Sequence, residues 1–255
     1  MAHTICIANQ KGGVGKTTTA VNLAAALAAL RKRTLLVDCD AQGNATTGVG
    51  IEKASMDGSL YQAMIGQVQA RDILANGGHK NLHVLPSSTD LIGFEVEFMH
   101  KEGREKVLKS VLAEVADDYD YVLIDCPPSL SLLTINAMAA ATSLLIPLQC
   151  EFYALEGIGQ LWKTTKRVRK ALNPRLQIAG ILLTMFDRRT SLSHQVAADA
   201  EKHFKDLVFK TRIPRNVRLG EAPSYGKPII LYAATSPGAQ AYIALGRELV
   251  KRMGQ

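Results

Sequence analysis

Short apolar runs separated by longer helical patterns set the frame of this chain. "TICIA", "RTLLVD", "LHVLP", "YVLID", "SLLIPL" and "IAGILLTMF" are rich in β-branched residues and leucine and lack polar alternation, as in strands buried on both faces. Helices are predicted over 17–30, which is alanine-rich, 104–115, 157–172, 191–204 and 238–253. Strands that alternate with helices imply parallel crossovers. The expected fold class is therefore α/β: a doubly wound, mostly parallel sheet with helices on both faces. "LVFKTRIP" reads as one more strand near the C-terminal end. With no internal repeat and no linker rich in Pro, Gly or Ser, residues 1–255 are expected to form a single domain.

Composition narrows the class. A chain of 255 residues that is 47% hydrophobic, with mean hydropathy near zero, is that of a globular protein large enough for a sizeable core. Its apolar runs stop short of the roughly 18–20 residues that a membrane span requires. The first strand begins almost at once, so neither a leader nor an N-terminal helix-turn-helix module is expected, and a cytoplasmic location follows. Cys6, Cys39, Cys126 and Cys150 fall within or at the ends of apolar runs without short paired spacing, which disfavours a disulfide framework or a metal site. Net charge is +7 and uneven. Residues 1–128 hold 12 Lys/Arg against 15 Asp/Glu, whereas residues 129–255 hold 18 against 8, suggesting a polyanion-facing surface on the second half.

The chemistry begins at "NQKGGVGKTTTA", between the first strand and the alanine-rich helix. Gly12, Gly13 and Gly15 permit tight backbone angles that let N–H groups converge on phosphate oxygens at a helix N-terminus. Lys16 is then expected on the β- and γ-phosphates and the Thr17 hydroxyl on Mg²⁺. The usual G-x-x-x-x-G-K-[ST] spacing fails, however, because position 10 is Gln. "KGGVGKTT", with its additional Lys11, instead resembles the deviant Walker A loop of the ParA/MinD group of phosphate-loop NTPases. That resemblance implies ATP binding by Lys11, Gly12, Gly13, Val14, Gly15, Lys16, Thr17 and Thr18. It also implies an ATP-sandwich homodimer in which Lys11 reaches the phosphates held by the partner subunit, a built-in counterpart of an arginine finger. Lys11, Lys16 and Asp40 are thus the candidate catalytic residues.

Two carboxylate segments fit this scheme. "LLVDCDAQGNATTG" places Asp38 and Asp40 beyond the second strand, at the sheet edge where ligands of open α/β folds gather. Asp40 resembles the family's first-switch aspartate, which positions or activates the attacking water, although Ala41 stands where the family usually has proline. In "YVLIDCPPS" an apolar strand ends in Asp125, matching the carboxylate that holds Mg²⁺, expected here through water. Pro127 and Pro128 then force the chain out of the sheet. "RIPRNVRLGEAPSYGKPI" resembles the late segment in which a Pro and an Asn contact adenine, giving Pro214 and Asn216, and ATP over GTP.

The segments "PPSLSLLTINAMAAATSLLIPLQCEFYALEGIGQL" and "TMFDRRTSLSHQV" extend the resemblance over nearly the whole chain, toward the Soj-type chromosomal ParA branch. It implies a slow Mg²⁺-dependent ATPase that segregates chromosomal or plasmid DNA. Such a protein binds double-stranded DNA nonspecifically when ATP-bound, is associated with the nucleoid, and is released by ParB-stimulated hydrolysis. Arg189 and Arg218 match the family's DNA-contacting arginines, and Arg188, Lys202, Lys205, Arg215 and Lys227 extend the candidate footprint. Sparse aromatics there favour backbone contact over base stacking. The basic cluster of Trp162–Lys170 reads as a solvated helix face. Three rivals remain. A MinD-like membrane ATPase that positions division machinery would use an amphipathic C-terminal helix, with Tyr242, Leu245 and Leu249 on its apolar side. A nitrogenase-reductase-like electron carrier would need two cluster cysteines per subunit, yet no cysteine falls between Cys39 and Cys126. A non-hydrolysing binding module would have no use for Lys11, Lys16 and Asp40 together.

Overall fold

The computed structural model describes residues 2–152, 154 and 156–254, and Tyr153 and Leu155 of the family-like segment lie outside them. Seven strands form one sheet: β1 His3–Ile7, β2 Thr34–Asp38, β3 Ala75–His79, β4 Leu82–Leu85, β5 Tyr121–Asp125, β6 Ser143–Gln149 and β7 Gln177–Thr184. Their order is β3-β4-β2-β5-β1-β6-β7, parallel except for β3 against β4. The helices are α1 Lys16–Ala29, α2 Asn44–Gly48, α3 Leu60–Met64, α4 Leu91–Glu97, α5 Val107–Ala113 and α6 Leu132–Ala140. After these come α7 Glu156–Ala171, α8 Ser191–Phe204, α9 Val217–Glu221, α10 Ile229–Tyr232 and α11 Pro237–Arg252.

The two-residue period of the strands divides the core. In β5, Tyr121 and Leu123 join Leu23 and Leu27 of α1 and Leu245 of α11 on one face, while Val122 and Ile124 join Leu108, Met138 and Leu161 on the other. Both faces are dry, which is why these strands show no polar alternation. Small residues let α1 lie close beneath α11. A side chain added at Gly246 would already crowd Leu30, at 3.1 Å.

Two predicted elements differ from those formed, and one strand forms that was not predicted. The segment 104–115 divides into a 3₁₀ turn, Arg104–Lys106, and α5. "LVFKTRIP" is not a strand: it runs beside β7 through isolated bridges at Val208 and Pro214. The amides of Lys210 and Thr211 bond the Glu248 carboxylate instead of a strand, and Pro214 has no N–H to offer. The strand β3, "ANGGH", has no apolar pattern to announce it and is held as an edge by β4.

Register decides where the chemistry sits. Asp125 is aligned with Ile7 of β1 and with Asp38 of β2, so the chain emerges from three adjacent strands at one edge. That edge also lies where the strand order reverses around β1, the usual crevice of such sheets.

Candidate functional site

The loop after β1 is held from both sides. Asn9 donates to the Pro147 carbonyl (2.7 Å) and accepts from the Lys11 amide (3.0 Å), while the Thr184 hydroxyl donates to the Val14 carbonyl (2.9 Å). Gly13 (φ 74°) and Gly15 (φ 84°) take left-handed backbone that other residues resist, and Gly15 caps α1. Thr17 and Thr18 open that helix.

Its two lysines part company. Lys16 is buried, and its ammonium donates to the Lys11 carbonyl at 3.0 Å. Burial lowers its pKa, while the charges of Asp125 and Asp40 hold the proton on. Lys11 sits at the rim with its side chain 38% exposed and pairs with Glu151, in the turn after β6. One cation thus faces inward and the other outward from the same loop.

Beneath Lys16 the carboxylates are crowded. Both oxygens of Asp125 are buried without a hydrogen-bond partner. Burial drives its pKa well above the usual carboxylate range, and the Asp38 charge adds to this; the Thr17 hydroxyl and Lys16 oppose it. Asp38 is pushed up to about 6, chiefly by burial, against hydrogen bonds from Thr46 and Asp40 that favour its charged form. A desolvated carboxylate with vacant lone pairs beside a threonine hydroxyl suits a hard cation. These raised values carry a sign. The folded state holds protons that the unfolded state has released, so stability falls as pH rises from about 4 through the folded pKa. Asp125→Asn is therefore expected to raise the melting temperature of the nucleotide-free protein at pH 7.5. The gain should shrink toward pH 4, and no gain at any pH in a thermal-shift series would contradict this account.

Asp38 also builds the loop that carries Asp40. Its oxygens accept from the Thr46 amide and hydroxyl (both 2.7 Å) and from the Asp40 amide (3.2 Å). Ser87 closes the arrangement, donating its hydroxyl to the Asp40 carbonyl at 2.6 Å and its amide to Thr46 at 3.0 Å. Asp40 keeps one oxygen on the Gln42 amide (3.0 Å). Ala41 lies in this turn, whose shape comes from the bonds around it.

Pro214 and Asn216 line a mostly apolar cavity of about 210 Å³ with Gly15, Thr18 and Thr184. The Asn216 amide oxygen is buried there without a partner. The same two residues border a larger groove, about 1040 Å³, whose walls include Arg188, Arg189, Lys210, Arg212 and Arg215, with Asp187. Arg189, its side chain 86% exposed, is held by both oxygens of Asp187. Arg218 lines an adjoining cavity with Asn216 and pairs with Glu221 at 2.8 Å. Of the other basic residues named with them, Arg188 and Arg215 line this groove, whereas Lys202, Lys205 and Lys227 do not. Lys210 and Arg212 were hidden inside the presumed strand.

Comparison with known proteins decides the family. A family model described as an AAA domain matches residues 2–178. The chain is 54% identical to the chromosome partitioning protein ParA of Myxococcus xanthus, over 97% of this chain and 88% of that one. It is 53% identical to the sporulation initiation inhibitor protein Soj of Bacillus subtilis, over 98% of each. The chain belongs to the ParA/Soj family of chromosome-partitioning ATPases.

Solved structures agree with this ParA/Soj assignment in fold. Cobyrinic acid a,c-diamide synthase from Mycobacterium smegmatis, with bound ADP and magnesium, is 35% identical with TM-score 0.87, covering 99% of this chain and 96% of that one. The septum site-determining protein MinD of Pyrococcus horikoshii, complexed with Mg-ADP, is 27% identical with TM-score 0.81, covering 100% and 98%. Within the ParA/Soj frame, sequence reasoning left Thr46, Ser87, Thr184 and Glu151 without roles. The first three act through hydroxyl and backbone bonds, which no motif spacing records.

Proposed function

We propose that the chain is a Mg²⁺-dependent ATPase that dimerises around ATP, binds double-stranded DNA nonspecifically, and drives chromosome or plasmid segregation with ParB-stimulated hydrolysis. The observation that carries this reading is the division of the loop's lysines, Lys16 turned inward to Asp125 and Asp40 and Lys11 at the rim. A self-contained site needs only the inner cation. The outer one suits phosphates held by a second copy, and such a dimer would form only with nucleotide present.

The residues present fit ATP and magnesium. Amides at the start of α1 and the Lys16 ammonium would bind phosphate oxygens, and the orphaned Asn216 oxygen suits the amino group of adenine, which guanine lacks at that position. Among the described residues no group of three His, Cys, Asp or Glu side chains could hold a metal. The ion would therefore take the Thr17 hydroxyl, phosphate oxygens and water, with Asp125 in reach through water. Magnesium, when bound, would neutralise charge on the phosphates. Asp40 would orient the attacking water and take its proton, Lys16 would hold the phosphates in line, and Lys11 would stabilise the charge that develops on the partner's phosphoryl group.

DNA binding is supported by the exposed arginines and their groove. Pro214, Arg215 and Asn216 border both the base cavity and the groove, so one segment touches both ligands' places. A membrane role would need a free apolar face on α11, but Tyr242, Leu245 and Leu249 are buried against the core. No described helix is long and apolar enough to cross a membrane. A cytoplasmic, nucleoid-associated location goes with this reading.

Binding of the protein to a random duplex, with ATP and with ADP across a salt series, tests it. Tight binding restricted to ATP and falling steeply with salt is expected. Arg189→Glu should weaken that binding by roughly tenfold to a hundredfold and flatten the salt slope by about one unit, leaving ATP hydrolysis intact. Unchanged DNA affinity in this variant would remove Arg189 from the interface.

A further inference from the structure

The short helix α4 and the turn that follows it carry two apolar stripes, and only one of them is buried. Leu91, Phe94 and Phe98 are buried, with the two phenylalanine rings stacked at 4.3 Å. Ile92, Val96 and Met99 recur at spacings of four and three residues on a second stripe, and they are 68%, 69% and 51% exposed. Exposed apolar residues are ordinary singly, but three aligned on one face mark a surface that something covers. Val96 and Met99 form one wall of a cavity of about 370 Å³ whose other wall is Leu132 and Ile135 of α6, with Glu95, Glu105 and Arg104, which pairs with Glu105, at its border.

Charge says what kind of partner fits. Over residues 90–105 the chain places five acids, Asp90, Glu95, Glu97, Glu102 and Glu105, against Lys101 and Arg104, in a protein whose net charge is +7. An acidic rim repels DNA and anionic membranes. A twofold contact of this face with a second copy would bring the same carboxylates against one another. A positively charged segment with apolar side chains meets both demands.

The groove is also joined to the turn that follows Asp125. The α6 helix begins at Leu132, at the end of the proline turn that follows Asp125. Buried Asn136 of α6 accepts from the Leu108 amide (3.1 Å) and donates to the Arg104 carbonyl (2.8 Å), which ties α6 to the segment from Arg104 to Leu108. Thr134 holds the preceding turn through the Ser129 carbonyl at 2.6 Å. We infer that the groove between α4 and α6 docks a basic amphipathic segment of a partner protein, and that this contact acts on the turn after Asp125. Resting on the proposed function, that partner is the one that stimulates hydrolysis.

The described cysteines are all buried, so a cysteine introduced as Met99→Cys can be labelled alone with an environment-sensitive fluorophore. Titration with a purified ParB-type protein is expected to shift its emission to the blue, whereas ATP alone leaves it unchanged. In the otherwise unlabelled protein, Ile92→Ser with Val96→Ser should weaken the partner's half-maximal stimulation of ATP hydrolysis by about thirtyfold. Glu95→Lys with Glu102→Lys should weaken it further as salt falls. Basal hydrolysis and ATP-dependent dimerisation should stay at wild-type levels in both variants. Wild-type stimulation in the serine variant would overturn the inference, as would a blue shift produced by ATP-driven dimerisation alone, which would make the face a contact between copies. Failure of the parent protein to bind the partner also overturns it. Loss of ATP-dependent DNA binding in the parent protein, with the fluorescence shift retained, would instead fault the proposed function and leave the docking surface standing.

Discussion

Replacing Lys11 with alanine is expected to abolish ATP-dependent dimerisation and to lower hydrolysis by about a thousandfold or more, while ATP still binds. The asymmetry follows from the loop. Lys16 alone is buried among the carboxylates, so the inner phosphate contacts survive without Lys11. What is lost is the rim cation, with its ability to stabilise charge across a subunit boundary. Folding should be little affected, because the pair that Lys11 makes with Glu151 is about one-third exposed on each side and such pairs contribute little. Light scattering with ATP and with ADP, together with phosphate release, reads both effects. A variant that still dimerises on ATP would mean that Lys11 serves only its own subunit, and the sandwich arrangement would have to be abandoned.

That experiment rests on a residue visible in the sequence, and most of the site was visible for the same reason. Strands such as "YVLID" are dry on both faces, so their ends are sharp, and a carboxylate directly after one falls at the ligand edge. Asp125 could be placed from that alone, whereas Lys16 and Thr17 were placed by the glycine-rich loop before α1 and Lys11 by that loop's resemblance to the deviant Walker A motif. Asp38 was visible as a residue but not as the hub that binds Thr46 and the Asp40 amide. Hydrogen bonds made eight residues along a turn follow no period. Glu151 was invisible for a plainer reason: it meets Lys11 across 140 positions of chain. The late basic segment misled because its apolar residues serve as spacers. Val208 and Ile213 are buried, yet Lys210 and Thr211 between them spend their amides on Glu248, leaving a groove wall where a strand was expected.

The division of labour between Asp38 and Asp40 yields the second large effect. Asp40→Asn keeps an oxygen for the Gln42 amide, and the loop around it is fixed by Asp38, Thr46 and Ser87 rather than by its own carboxylate. The substitution should therefore preserve ATP binding, dimerisation and DNA binding while hydrolysis falls by about a hundredfold to a thousandfold, because an amide cannot take the proton of the attacking water. The protein would then stay on DNA after partner addition, instead of being released. Asp38→Ala should behave differently. It strands the Thr46 amide and hydroxyl in a buried setting, each at a cost of about 1–3 kcal/mol, so the loop and the melting temperature should both suffer. Phosphate release, DNA retention and thermal melting on the two variants separate chemistry from scaffold. If Asp40→Asn hydrolysed normally while Asp38→Ala kept its stability and lost only turnover, the roles assigned to the two aspartates would be reversed, and the water would be sought on the buried side of the turn.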